Sequence, residues 1–74
     1  MDRSTVGNAL WRAAMDEEFR RRTIENLGMA LAQEGFILTD DEMHQMRTWW
    51  SEIQMLGGRA AAERIQALAR DYQN

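Results

Sequence analysis

The chain has 74 residues, 45% of them hydrophobic and 28% charged, with a formal net charge of −3. One domain is all that this length allows, and its core can be only a few layers of side chains. With no Cys, no Lys and a single His44, disulfides, thiolate metal sites and lysine Schiff-base chemistry are excluded.

Without proline, only the five glycines at 7, 28, 35, 57 and 58 punctuate the chain. The first predicted helix runs from about Thr5 to Met15. Val6, Ala9, Leu10, Ala13 and Ala14 recur at helical spacing on one face. Ser4 or Thr5 caps its start. Trp11 lies off that stripe, either at the edge of the core or toward a partner.

The second segment runs from about Asp16 to Glu34. Asp16, Glu17 and Glu18 place negative charge at its beginning, and Phe19, Ile24, Leu27 and Leu31 form its buried stripe. Arg20, Arg21 and Arg22 follow within ion-pair reach of Glu17, Glu18 and Glu25. Together with Arg12 they could alternatively form a basic patch for an acidic protein surface. Gly28 marks a kink, a break into two short helices or a close helix crossing. Gly35 stands where a left-handed helix cap is expected.

Phe36-Ile37-Leu38 is a short apolar connector whose Phe36 and Leu38 are expected to plug into the core. Thr39-Asp40-Asp41-Glu42 then fits a capping box, with Leu38 and Met43 placed for a hydrophobic staple. Met43, Met46, Trp49, Trp50, Ile53 and Leu56 trace the apolar face of a third helix, which Gly57-Gly58 stops. A fourth helix spans about Arg59 to Tyr72. Ala61, Ile65, Leu68 and Tyr72 form its stripe, and Ala60 and Ala69 flank it. The expected fold is an all-α, compact bundle of three to four short helices, residues 1–74 forming a single helical domain with antiparallel neighbours. Its expected core comprises Leu10, Phe19, Leu31, Phe36, Met43, Trp50, Ile53, Ile65 and Leu68.

No constellation for chemistry emerges. His44 points away from the 43/46 stripe and reads as exposed, so a Met–His copper site is not expected. The acids 40–42 lack the spacing of a calcium loop. No catalytic residue, cofactor or metal is expected, and the protein reads as not an enzyme. No apolar run approaches the roughly 20 residues of a membrane span. The first residues lack the basic and apolar regions of a signal peptide. No membrane association and a cytoplasmic location are therefore expected.

Aromatic side chains carry the partner expectation. Adjacent helical residues Trp49 and Trp50 point about 100° apart, so one core can hardly cover both. Trp11, Trp49 and Trp50, with Arg20 and Arg21, are the candidate partner-binding residues. The partner would be a larger protein or a second copy in a homodimer. The expected role is a stand-alone adaptor or inhibitor, such as a small phage or bacterial regulator. A helix-turn-helix nucleic-acid binder is the weakest alternative, because its reading helix would begin with three acids that repel phosphate.

The string Asp16-Glu17-Glu18-Phe19-Arg20, followed by Leu27, Leu31, Glu34-Gly35-Phe36, Leu38-Thr39 and Glu42, resembles leader regions of ribosomally made, post-translationally modified peptides. The similar classes are the Nif11-like and nitrile-hydratase-like leaders, and about thirty residues (16–46) are involved. The resemblance implies a helical module recognised by a modifying enzyme through Phe19, Leu31, Phe36, Leu38 and Glu42. It also implies cleavage after Gly57-Gly58, with Met55 as the apolar residue at the fourth place before the cut. Glu52 stands one place from the acidic position of that pattern. The segment after Gly58 has no Cys, Ser or Thr to modify and reads as an amphipathic helix. A tight turn between two helices accounts for the same glycine pair.

Overall fold

Asp16 ends one helix and begins the next. Its amide donates to the Arg12 carbonyl, and its carboxylate accepts the Phe19 amide at 3.0 Å. Asn26 repeats the device ten residues later. Its amide closes the turn before it on the Arg22 carbonyl, and its side chain accepts the Met29 amide at 3.1 Å. Two short polar side chains thus cut what would otherwise run as one long helix.

The computed structural model describes residues 4–73. It contains α1 (Ser4–Met15), α2 (Glu17–Glu25), α3 (Leu27–Gln33), α4 (Asp40–Ile53) and α5 (Gly58–Gln73). No strand occurs among these residues. The all-α expectation holds, but there are five helices rather than three or four. The extra one arises because the 16–34 segment breaks at Asn26. Gly28 lies within α3 and breaks nothing, since a helical backbone needs no special φ there.

The segment between α3 and α4 is held at both ends. Gly35, at φ 80°, closes α3 in a Schellman arrangement: its amide donates to the Ala32 carbonyl, and the Phe36 amide to the Leu31 carbonyl. At the other end, the Thr39 hydroxyl accepts the Glu42 amide at 3.1 Å and the Glu42 carboxylate accepts the Thr39 amide at 2.9 Å. Both halves of the predicted capping box are therefore made.

Helix α4 stops at Ile53, earlier than its apolar stripe implied. Tight bonds from Met55 to Glu52 and from Leu56 to Ile53 carry Leu56 out of the helix. The glycine pair does not stop α4. Instead the Gly57 carbonyl accepts the amides of Ala60 and Ala61 and opens α5. At the N-terminus, Thr5 lies inside α1 rather than at its cap, and the side chain of Ser4 lies outside the described residues.

The core gathers Val6, Ala9, Leu10, Ala13, Phe19, Leu27, Ala30, Leu31, Met46, Trp50, Ile53, Ala61, Ile65 and Ala69. Of the predicted core, Phe36, Met43 and Leu68 are only partly buried, packed at its margin. Ala60 is exposed. α5 packs mainly on α1, and α2 joins α1 and α3. The contact between α1 and α5 includes small residues on both sides: α1 brings Ala9 and Ala13 and α5 brings Ala61 and Ala69 to the shared core, and Gly7 is buried as well. The radius of gyration is 10.9 Å, close to the roughly 11 Å of a compact chain of this length. No helix is long and apolar enough to cross a membrane among the described residues.

Candidate interaction surface

The three tryptophans separate into two kinds. Trp50 is 4% exposed, and its indole Nε1–H donates to the Thr23 hydroxyl at 3.0 Å. That hydroxyl in turn donates to the Arg20 carbonyl at 2.7 Å. A buried indole needs a partner for its N–H, and Thr23 on α2 supplies it. Trp50 is therefore a core residue that ties α4 to α2. Trp11 and Trp49 are half-buried at the core margin. Trp49 packs edge-on against Tyr72, with ring centroids 6.1 Å apart.

The arginines are largely engaged within the chain. Arg20 donates to the carbonyls of Ala13 and Ala14 at 2.9 and 3.1 Å, where α1 has run out of helical donors. Arg21 lies between Glu18 and Glu25 on its own helix. Arg22 reaches across to Glu34 at 3.0 Å and to Gln33 at 3.0 Å. Arg12 meets the same Glu34 at 2.8 Å and Asp16 at 3.2 Å. The guanidinium carbons of Arg12 and Arg22 lie 5.5 and 5.8 Å from the Phe19 ring centroid. Glu34 thus clamps two cations over one buried aromatic and links α1, α2 and the end of α3. Of the expected pairs with Glu17, Glu18 and Glu25, only those of Arg21 with Glu18 and Glu25 form; Arg12 and Arg22 pair instead with Glu34, and Arg20 binds main-chain carbonyls. The Phe19 amide and the Arg12 side chain hold the Asp16 carboxyl below its ordinary value of 3.8.

The leader-like positions also have structural roles. The Phe19 and Phe36 rings pack 5.9 Å apart with their planes tilted by 56°, Leu31 is buried, Leu38 packs at the core margin and Glu42 completes the capping box. Gly57, just before α5, and Gly58, its first residue, are both exposed.

Large apolar side chains nevertheless remain outside the core. Ile37 is 86% exposed, Met55 82%, Met15 73% and Met29 57%. Ile37 lies between the two half-buried plugs Phe36 and Leu38, and that alternation is the sequence signal of its exposure. Compared with models of protein families, with curated proteins and with solved structures, the chain matches none.

Two polar features complete the surface. A shallow cleft of about 330 Å³ lies between the α2–α3 junction and α4, lined by Thr23, Asn26, Arg47, Trp50, Ser51 and Gln54 among others. His44 is exposed, as expected. Among the described residues, no three His, Cys, Asp or Glu side chains group so as to hold a metal ion.

Proposed function

We propose that this chain is a non-enzymatic helical module that binds a larger protein, as a stand-alone adaptor or inhibitor. The exposed apolar side chains carry this reading, above all Ile37 at 86% and Met55 at 82%. Both lie in the segments between helices, while the helices seal their own core. Burying large apolar side chains such as these against a partner removes apolar area from water, which favours association. Trp11 and Trp49 add aromatic area at the core margin, of the kind that anchors interfaces. Trp50, Arg20 and Arg21 contribute less, since the fold already uses them.

A precursor role is the second reading. The exposed Met55 and the exposed Gly57-Gly58 favour it, because a peptidase can reach them. The docking of α5 on α1 counts against it, because a segment to be modified should be free of the rest. The three acids opening α4 likewise count against nucleic-acid binding.

Size and intact mass in the native cell test these readings together. The module reading expects the chain, uncut at the glycine pair, to elute from lysate in a much larger complex. Ile37→Asp should release it, because that side chain supports no internal contact of consequence. Elution at the chain's own size would overturn the module. A chain cut after Gly58 would establish the precursor instead.

A further inference from the structure

Helix α4 ends at Ile53, but the chain keeps winding past it. Gln54 has right-handed helical dihedrals (φ −67°, ψ −15°) and its amide bonds to the Trp50 carbonyl. The Met55 and Leu56 amides bond three residues back, to Glu52 and Ile53. Gln, Met and Leu are also good helix formers. The winding breaks at the glycine pair, where Gly58 takes a φ of +42°. That is the left-handed region, which glycine adopts at little cost. Packing does not dictate this turn, since a Cβ on either glycine would meet nothing within 4 Å.

The turn also leaves main-chain groups open. The amides of Gly57, Gly58 and Arg59 make no main-chain hydrogen bond among the described residues, and neither do the carbonyls of Gln54 and Met55. Were α4 to run straight into α5, each of those amides would face a carbonyl four residues back, on Ile53, Gln54 and Met55. α5 could then no longer fold back on its own chain. It packs mainly on α1, and its Ala61, Ile65 and Ala69 share one core with Val6, Ala9, Leu10 and Ala13. The α1 of a second copy offers that same face.

We propose that Gly57-Gly58 is the hinge of an exchange in which α4 and α5 join into one helix and the α5 of each of two copies docks on the α1 of the other. The occupant of the opened α1 face is α5 itself, by the contacts it already makes. The edge contact of Tyr72 with Trp49 and the 3.6 Å ion pair of Arg64 with Glu52 would re-form between the copies. The closed and exchanged forms therefore share one core and differ only in residues 54–58, as in other exchanges of an identical element. The connector alone decides between them. The glycine pair favours the closed form, because glycine supplies the left-handed turn and is a poor residue inside a helix. The exchange needs no larger partner and stands apart from the adaptor reading.

The test compares the parent with the double variant Gly57→Ala, Gly58→Ala by size-exclusion chromatography with light scattering, each refolded from urea. In the closed form alanine is strained at the φ of Gly58 and caps α5 less well than glycine at 57, whereas in a joined helix both alanines are favoured. The double variant should therefore dimerise about a hundredfold or more tightly than the parent. In the parent the chain's own α5 competes at an effective concentration on the order of millimolar, so its dimer should appear on refolding at about 1 mM. In a dimer mixed from isotope-labelled and unlabelled copies, filtered NOEs should join the α1 of one copy to the α5 of the other. Inserting Gly-Ser-Gly-Ser between Gly57 and Gly58 should keep the chain monomeric, since a longer connector lets α5 return to its own α1. A monomeric double variant, a parent without dimer at that concentration, a dimer whose α1–α5 contacts stay within each copy, or an insertion variant that dimerises as readily as the double variant would overturn the exchange. If the double variant does not fold, Gly57→Ala alone, which leaves Gly58 at its own φ, decides in its place with a smaller shift.

Discussion

Thr23 is the one buried polar side chain among the described residues whose hydroxyl serves two helices at once. Replacing it with Val keeps the shape and leaves the Trp50 N–H without an acceptor in a buried place. Thr23→Val should therefore destabilise the chain by about 1–3 kcal/mol in urea unfolding. In a Trp50→Phe background the donor is gone, and the same substitution should cost less by at least about 1 kcal/mol. Additive effects would mean that the hydrogen bond contributes nothing. Asp16 gives the pH dependence expected of a single residue. The Phe19 amide, then Arg12, lowers its folded-state pKa from 3.8, so the unfolded chain takes up the proton first. Its stabilising contribution is present above 3.8 and is lost as the pH falls through the lower folded value. Asp16→Asn keeps a capping oxygen but does not titrate there, so it should flatten the fall in urea midpoint between pH 5 and acid. An unchanged acid limb would assign that fall to other carboxylates.

At the scale of elements, Asn26 decides how many helices the chain has. It accepts the Met29 amide, and its own amide closes α2. Asn26→Ala should cost about 0.5–2 kcal/mol, with Asn26→Asp close to the parent. Gly28 behaves in the opposite direction. A Cβ there would meet nothing nearer than the Arg47 guanidinium at 3.7 Å, an ordinary contact, and the backbone is helical. Gly28→Ala should therefore stabilise the chain by about 0.5–1 kcal/mol, and a loss in thermal unfolding would show that the glycine serves a close approach. These two residues also mark where the sequence could and could not be read. The capping box at Thr39 and Glu42, the Gly35 cap and the apolar stripe of α1 were legible, because each depends on neighbours three or four residues away, whereas in α5 Ala69 enters the core and the expected Leu68 and Tyr72 stay at its margin. The break at Asn26 was not read, because Gly28 was the more conspicuous interruption, although Asn is itself a strong capping residue. Glu34 and Thr23 were not read either. Their partners, Arg12 and Trp50, lie 22 and 27 residues away, and local spacing carries no information at that range. Of the candidate surface, the tryptophans were legible as too many for one core, but which one entered it depended on Thr23.

For the molecule as a whole, the decisive packing is that of the last helix on the first. α5 lies mainly against α1 rather than against its chain neighbour α4, so α1 and α5 together close the core. Ala61, Ile65 and Ala69 are at most 1% exposed, and they share that core with Val6, Ala9, Leu10 and Ala13. A small chain has few such layers, and total stabilities are typically only about 5–15 kcal/mol, toward the lower end for short domains. Ile65→Ala should cost about 2–5 kcal/mol, enough to remove much of that margin. Circular dichroism should show α1 to α4 and α5 melting together in a single transition. The chain ending at Gly58 makes the stronger test, because it removes α5 and bares the α1 face. It should lose cooperative unfolding and most of its helix signal. If the shortened chain instead melts as sharply as the parent, α5 is a dispensable passenger on a self-sufficient leader-like fold. Cleavage at the glycine pair would then become the better explanation of the exposed Met55–Gly58 segment. Cooperative loss keeps α5 within the folding unit, where the apolar groups left outside the core, Ile37 foremost, are the ones available to another protein.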